Sequence, residues 1–272
     1  MYPVTGARGP LVIAHRGGGA EAPENSEEAF EALRRLGVRH IETDAHLSAD
    51  GVVVVNHDET VDRTFNGSGR IAEMTWDELS ALEGKDGQKM RTLEEMLDAF
   101  PDMYFNIDAK SAAVAVPLVE LLYRKGALDR CLVASFSQRR LDQLRQLYGP
   151  RLTTSLGTVG VIKLVVAAQT ASDAAAWGVP GPKQGVRAVQ VPVTHGPLRV
   201  VDRRFVAAAH RNGLAVHVWT INEAAQMHRL LDLGVDGIVT DYPSIARAVM
   251  LERGVWQDVP PPVEGGTGAP RD

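Results

Sequence analysis

Two carboxylates stand two residues apart in the stretch His40-Ile-Glu-Thr-Asp-Ala-His-Leu, at Glu42 and Asp44. Side chains alternate faces along a strand, so this spacing sends both acids off one side. Paired oxygen donors of that kind suit a hard divalent cation, Mg²⁺ or Ca²⁺. The polar turn Ser48-Ala-Asp-Gly51 leads into the apolar run Val52-Val-Val-Val55, and His57-Asp58 follows. Closing those two arms as a hairpin brings an imidazole up to the acids. On its own a Glu-x-Asp pair is more often a solvated edge than a site. The weight comes from residues elsewhere in the chain.

Those residues are His15 and Arg16, Asn106, Asp108 and Lys110 on one strand face, Gln190, and Trp219. Each stands at or near the end of a short apolar run. A charged group among branched apolar neighbours is costly unless it is paired or bound to metal. Three acids, two histidines, an arginine and a lysine gathered on one rim describe a site for a phosphate ester and a divalent cation. The cation would rest on Glu42, Asp44 and Asp108 and offset charge on phosphoryl oxygens. Arg16 suits a bidentate phosphate contact, and Lys110 a point-charge contact. His15 and His57 form an acid and base pair, since imidazole titrates near neutral pH. Gln190 is a candidate substrate contact and Trp219 an apolar wall.

The elements that must position these residues follow from pattern. Leu11-Val-Ile-Ala-His15 reads as a buried strand, closed by the loop Gly17-Gly-Gly19. Further strands are expected at 40, 103, 131, 151, 188, 215 and 237, with helices between them. Ser137 is expected to cap one of these helices, and Thr92 with Glu95 another. Short buried strands alternating with helices indicate parallel βα units. Eight such units favour a (β/α)8 TIM barrel, with a doubly wound sheet as the alternative. A single domain over 11–253 is expected. Residues 58–91 are polar and turn-rich, and read as an insertion after the second strand with too few apolar residues for a core. The Pro- and Gly-rich stretch 259–272 is expected to be disordered.

Composition narrows the class. The 272 residues are 44% hydrophobic and 23% charged, an ordinary globular balance. A formal net charge of −5 argues against nucleic acid as a partner. One cysteine, Cys131, rules out an internal disulfide. Met1–Pro10 lacks the pattern of a secretory leader, and no apolar run reaches the ~20 residues needed to span a bilayer. A cytoplasmic protein without stable membrane insertion is the expectation.

Several motifs now stand in order: His15-Arg16-Gly17, Pro23-Glu24-Asn25-Ser26, Glu42-x-Asp44 and the run from His57-Asp58 to Arg63-Thr64. After them come Asn66-Gly-Ser-Gly69, Asn106-Ile-Asp108-x-Lys110, Trp219-Thr220-x-Asn222 and Thr240-Asp-Tyr-Pro243. This series, spanning about 11–250, resembles the glycerophosphodiester phosphodiesterase family. The resemblance implies a distorted TIM barrel and divalent-cation-dependent hydrolysis of a small-molecule glycerophosphodiester to an alcohol and glycerol 3-phosphate. It implies His15 and His57 as the catalytic pair, Glu42 and Asp44 as metal ligands, and Arg16 and Lys110 on the phosphate. It points first to attack by the glycerol 2-hydroxyl through a cyclic phosphate, with direct attack by water as the alternative. The family pattern has Glu where this chain has Asp108, a side chain shorter by one C–C bond, ~1.5 Å. That shortening favours a deeper or water-bridged metal, or a larger one such as Ca²⁺.

Other readings stay open beside this one. Lysophospholipase D or phospholipase C-like action on a lipid phosphodiester would use a similar barrel, and a non-catalytic polyol-phosphate-binding barrel would keep the shape alone. His46 is expected past its strand end and facing solvent, His40 on the surface, and His217 in the core. The segment 159–177 is expected to be an ordinary barrel helix or, on the sharper reading, an apolar lid for an acyl chain.

Overall fold

The computed structural model describes residues 9–262. The expectations for the leader and tail therefore fall, over 1–8 and 263–272, outside the described residues.

The chain opens with β1 (Leu11–His15), α1 (Glu27–Leu36), β2 (His40–Leu47) and β3 (Val53–Val55). Then come α2 (Trp76–Ser80), β4 (Arg91–Thr92), α3 (Leu93–Ala99), β5 (Tyr104–Ala109), α4 (Ala112–Arg124) and β6 (Cys131–Ala134). α5 (Gln138–Tyr148), β7 (Thr154–Ser155), α6 (Thr158–Gln169) and β8 (Val186–Pro192) follow. A small hairpin, β9 (Thr194–His195) with β10 (Leu198–Arg199), precedes α7 (Arg203–Arg211) and β11 (Ala215–Trp219). The last elements are α8 (Ala224–Leu233), β12 (Gly237–Thr240) and α9 (Pro243–Glu252).

The sheet runs β1-β12-β11-β8-β7-β6-β5-β2, and a β1–β2 pairing closes it into a parallel eight-stranded barrel. β3 and β4 extend it antiparallel from β2. The TIM barrel with an insertion after its second strand is thus the observed fold. Local chemistry starts the helices where expected. Thr92 and Glu95 form a capping box, as do Thr75 and Glu78, and Ser111 and Ser137 cap α4 and α5. Ser26 caps α1 alone, accepting from the Ala29 N–H at 3.0 Å. The fifth barrel strand, expected from 151, shrinks to Thr154–Ser155.

Period-two alternation divides the barrel into two environments. Ile41, Ala45, Phe105, Ile107, Ala109 and Val133 face outward and join Phe30, Leu33 and the helix faces in one large core. The other parity points inward, where Leu11, Ile13 and Val239 form one small apolar cluster and Leu132, Ala134 and Ala188 another. The rest of the interior is polar: His40, Glu42, Asp44, Asn106, Asp108, Gln190 and His217. Apolar packing outside the barrel wall supports polar groups inside it.

Two histidine expectations fail on this parity. His40 is buried, its ring stacked on Tyr104 at 5.0 Å. His46 lies within β2, which continues to Leu47, and is buried with Nε2 3.2 Å from the His57 carbonyl. His217 is buried in the core as expected. Burial pushes His40 down to about 3, helped by the charge of His217, and His217 down to about 4. Unfolded histidines titrate near 6.5, so below that pH the unfolded chain binds more protons than the folded one. Stability should be full above about pH 6.5 and fall continuously as pH drops toward these folded values. Urea midpoints across that range check it, with a shallower slope expected for His40→Gln.

The insertion also differs from expectation. Val61, Phe65, Ile71, Leu79 and Met90 are buried together with Val54 of β3, and Met74, Trp76 and Leu82 pack around them. Their irregular spacing hides this core from any helix or strand period. Within 159–177, α6 docks through Leu164, Ala167 and Ala168, as the barrel-helix reading expects. Among the described residues no helix is long and apolar enough to cross a membrane.

Candidate active site

β1 delivers His15 to the C-terminal rim, next to Glu42 in the β1–β2 register. The chain then turns sharply, with Arg16 at φ 52° and Gly17 at φ 81°. A non-glycine residue in the left-handed region costs of order 1–2 kcal/mol and persists only where its surroundings hold it. Here the Arg16 N–H donates to Glu42 Oε2 at 3.1 Å, its carbonyl accepts from the Asn25 N–H at 2.8 Å, and its guanidinium meets Glu24 at 3.2 Å. Gly17 has no room for a side chain, since a Cβ would stand 2.8 Å from the Phe30 ring. Gly17→Ala should therefore destabilise the protein by more than ~1 kcal/mol and displace His15 and Arg16. Thermal melts and activity on the same sample read both effects.

His15 has its own carboxylate. Nδ1 lies 2.6 Å from Asp241 Oδ1, just past the end of β12. Asn222 donates from Nδ2 to the other Asp241 oxygen at 2.8 Å, and its Oδ1 accepts the Asp241 N–H at 3.0 Å. Burial pushes the Asp241 carboxyl up, but hydrogen bonds from His15 and Asn222 outweigh it and hold the group below its usual range. An ionised Asp241 can only accept, so Nδ1 carries the proton and Nε2 is left on the side of Glu42, 3.9 Å from Oε2.

The hairpin brings the second imidazole in. Ala45 pairs with Val55, and the Asn56 N–H donates to the Asp44 carbonyl at 3.1 Å, so His57 follows directly beside the acids. His57 Nδ1 meets Asp58 Oδ1 at 2.7 Å. The Arg63 Nε donates to Asp58 at 2.6 Å, and chiefly for that reason the Asp58 carboxyl drops to about 2. Arg63 also donates to both Glu24 oxygens, at 2.8 and 2.6 Å, and Glu24 contacts Arg16. One chain of ion pairs thus ties the His57 loop to the His15 turn.

Between the imidazoles lie the acids. Glu42 pairs in register with Asn106, and Asp44 with Asp108. Lys110 places Nζ 2.7 Å from Asp44 and 3.2 Å from Asp108. Burial works against the Lys110 ammonium, but these two carboxylates outweigh it and raise its pKa. Burial raises Glu42 well above the carboxylate range, and the neighbouring Asp44 charge adds to it. Asp108 is also raised, chiefly by burial. Among the described residues no three acid, histidine or cysteine side chains converge as a finished metal cage. The expected trio is split, with Asp44 and Asp108 on Lys110 and Glu42 on the Arg16 N–H. The donor chemistry nonetheless fits a hard cation: three carboxylates face one ammonium, and Asp108 Oδ1 is buried with no hydrogen-bond partner.

Two expected contacts sit differently from the rest. Gln190 turns its amide toward His217 Nδ1 at 3.3 Å, inside the barrel. Trp219 ends β11, three residues before Asn222, and meets the Phe136 ring edge-on at 5.9 Å. Sequence reasoning placed Asp58, Asp241, Asn222 and Arg63 in its motifs but assigned none of them a role in the site. Asp58 adjoins His57, and Asp241 ends the last barrel strand, so both carried a readable signal. Arg63 had none.

The arrangement offers two imidazoles, each backed by a carboxylate, around a buried acid cluster with Lys110 and Arg16 at hand. Comparison with known proteins gives a matching result. Residues 15–245 match the Glycerophosphoryl diester phosphodiesterase family. A Mycobacterium tuberculosis protein named probable glycerophosphodiester phosphodiesterase 2 is 36% identical over 249 residues, covering 91% of this chain and 93% of its own. A Bacillus subtilis glycerophosphodiester phosphodiesterase is 30% identical, covering 88% of this chain and 86% of its own. The fold is shared with an Oleispira antarctica phosphodiesterase in complex with the product sn-glycerol-3-phosphate, at TM-score 0.72 and 23% identity, covering 89% and 97% of the two chains.

Proposed function

Because this chain belongs to the glycerophosphoryl diester phosphodiesterase family, whose members are phosphoric diester hydrolases, we propose that His15 and His57 are the acid–base pair of its reaction. The substrate is a glycerophosphodiester, and the products are an alcohol and sn-glycerol 3-phosphate, the product bound by the Oleispira relative. The observation that carries this reading is the matched pair of dyads, His15 with Asp241 and His57 with Asp58, on one rim.

The chemistry needs a proton taken and a proton given. One imidazole accepts the proton of the attacking oxygen as its bond to phosphorus forms. The other gives a proton to the leaving alkoxide as the second P–O bond breaks. Attack by the glycerol 2-hydroxyl gives a cyclic phosphate, which water then opens with the two histidines exchanging roles. Each carboxylate fixes the tautomer and orientation of its imidazole. Arg16 and Lys110 bind phosphoryl oxygens, the first by its planar fork and the second as a point charge. Glu42 and Asp44, with the open Oδ1 of Asp108, would hold a divalent cation, which when bound supplies positive charge to the phosphoryl oxygens. The shorter Asp108 suits Ca²⁺ over Mg²⁺, because calcium accepts longer and less regular oxygen contacts.

The test is glycerol 3-phosphate release from glycerophosphocholine and glycerophosphoethanolamine with EDTA, Mg²⁺ or Ca²⁺. Release that EDTA stops and Ca²⁺ restores best is the expected result. Full activity in EDTA would remove the cation from the account, and no release under any condition would remove the activity.

A further inference from the structure

The insertion reaches the barrel mouth through one side chain. Arg63 stands between Val61 and Phe65, both buried in the insertion's small core, and the Phe65 N–H donates to the Val61 carbonyl at 2.9 Å. The backbone at Arg63 is therefore held by the insertion, while its guanidinium extends to two carboxylates of the mouth. Nε donates to Asp58 Oδ2 at 2.6 Å, and the two terminal nitrogens donate to the two Glu24 oxygens at 2.8 and 2.6 Å. Each of these carboxylates has one other client. The second Asp58 oxygen meets His57 Nδ1 at 2.7 Å, and Glu24 accepts from Arg16 at 3.2 Å. Among the described residues neither carboxylate has a further side-chain partner. Burial pushes the Glu24 carboxyl up, but the hydrogen bonds and charge of Arg63 and Arg16 outweigh it and hold the group below its usual range.

An ion pair this open adds little to stability: the Arg63 side chain is 47% exposed, and surface pairs lose most of their gain to screening and side-chain ordering. What the guanidinium supplies is geometry. Its planar fork fixes three hydrogen bonds at once, which an ammonium on a flexible stem cannot reproduce. We propose that Arg63 is a positioning residue for the phosphodiesterase reaction, clamping Asp58 and Glu24 at one spacing so that His57 and Arg16 face the same phosphorus. It touches no reacting atom itself. Without it, Asp58 and Glu24 repel each other as like charges, and each is free to swing away from its client. The inference rests on the roles of His57 and Arg16 given above. It makes the insertion a working part of the site, joining the proton-transfer arm to the phosphate arm.

The decisive experiment is a double-mutant cycle on glycerophosphocholine hydrolysis, with Arg63→Met made in the wild type, in His57→Ala and in Arg16→Ala. Removing an orienting partner costs about 10–100-fold. Arg63→Met in the wild type should lose that much in kcat/KM, split between a fall in kcat and a rise in KM. In His57→Ala the kcat share should vanish, and in Arg16→Ala the KM share, because residues acting as one unit are not additive. Arg63→Lys should stay closer to Arg63→Met than to the wild type, since one ammonium cannot hold both carboxylates. Thermal melts should barely move, and if Arg63→Met does not fold, Arg63→Lys carries the same cycle. Failure of both to fold would make Arg63 a structural clamp and overturn the inference. An equal loss in all three backgrounds also overturns it. So does full activity in Arg63→Met, which leaves the phosphodiesterase reading standing. A wild type that cleaves nothing, or a His57→Ala as active as the wild type, overturns both.

Discussion

Alanine at His57 should lower turnover of a glycerophosphodiester by roughly 10²–10⁴-fold, the range a positioned general acid or base contributes. His15→Ala should do the same. Neither ring is a major packing element, with side-chain exposures of 33% and 19%, so both variants should fold and bind substrate. The two losses separate by leaving group. A p-nitrophenyl phosphodiester expels a stable phenolate and needs little protonation. The variant lacking the acid should therefore recover most of its rate on that substrate, while the one lacking the base should not. Recovery by both, or by neither, would mean that the two imidazoles do not divide the labour.

The second large effect is expected at Lys110. Its ammonium is the nearest positive charge to Asp44 and Asp108, at 2.7 and 3.2 Å, and the Asp44 side chain is only 2% exposed. Lys110→Met should lower kcat/KM by about 100-fold or more, as removal of a phosphate-binding cation does. It should also destabilise the fold by about 3 kcal/mol, because breaking a buried pair leaves its partners uncompensated. The pH sense of that loss is defined. Glu42 and Asp108 already have raised pKa values, and losing the lysine raises them further. Groups raised in the folded state stabilise it when protonated, so the variant should regain stability as pH falls and lose it as pH rises through those values. Chemical denaturation of variant and wild type from weakly acidic to neutral pH, without divalent ions, shows this directly. A constant difference between the two would place the lysine outside the acid cluster.

What could be read from the chain was whatever depends on parity and order. Glu42 with Asp44, and Asp108 with Lys110, share faces because a strand repeats every two residues, and eight apolar runs put those faces on one rim. His57 was legible because a short turn closes the β2–β3 hairpin. Contacts made by closure of the whole barrel were not. His15 and Asp241 lie 226 residues apart and meet only because β1 pairs with β12. The bridge from Arg63 to Glu24 and Asp58 depends on an insertion whose core follows no period. His46 was misplaced for a related reason: its parity was visible, but β2 runs to Leu47, and the His57 backbone covers the imidazole. The division of three acids between Lys110 and the Arg16 N–H was equally hidden, because spacing lists donors without showing which counter-charge each one faces.

The most direct single measurement is glycerol 3-phosphate release from glycerophosphocholine by the wild-type protein and by His15→Ala, purified together and assayed with Ca²⁺. The account predicts release by the wild type and a loss of at least about 100-fold in the variant at unchanged folding. Equal rates in the two proteins would contradict it.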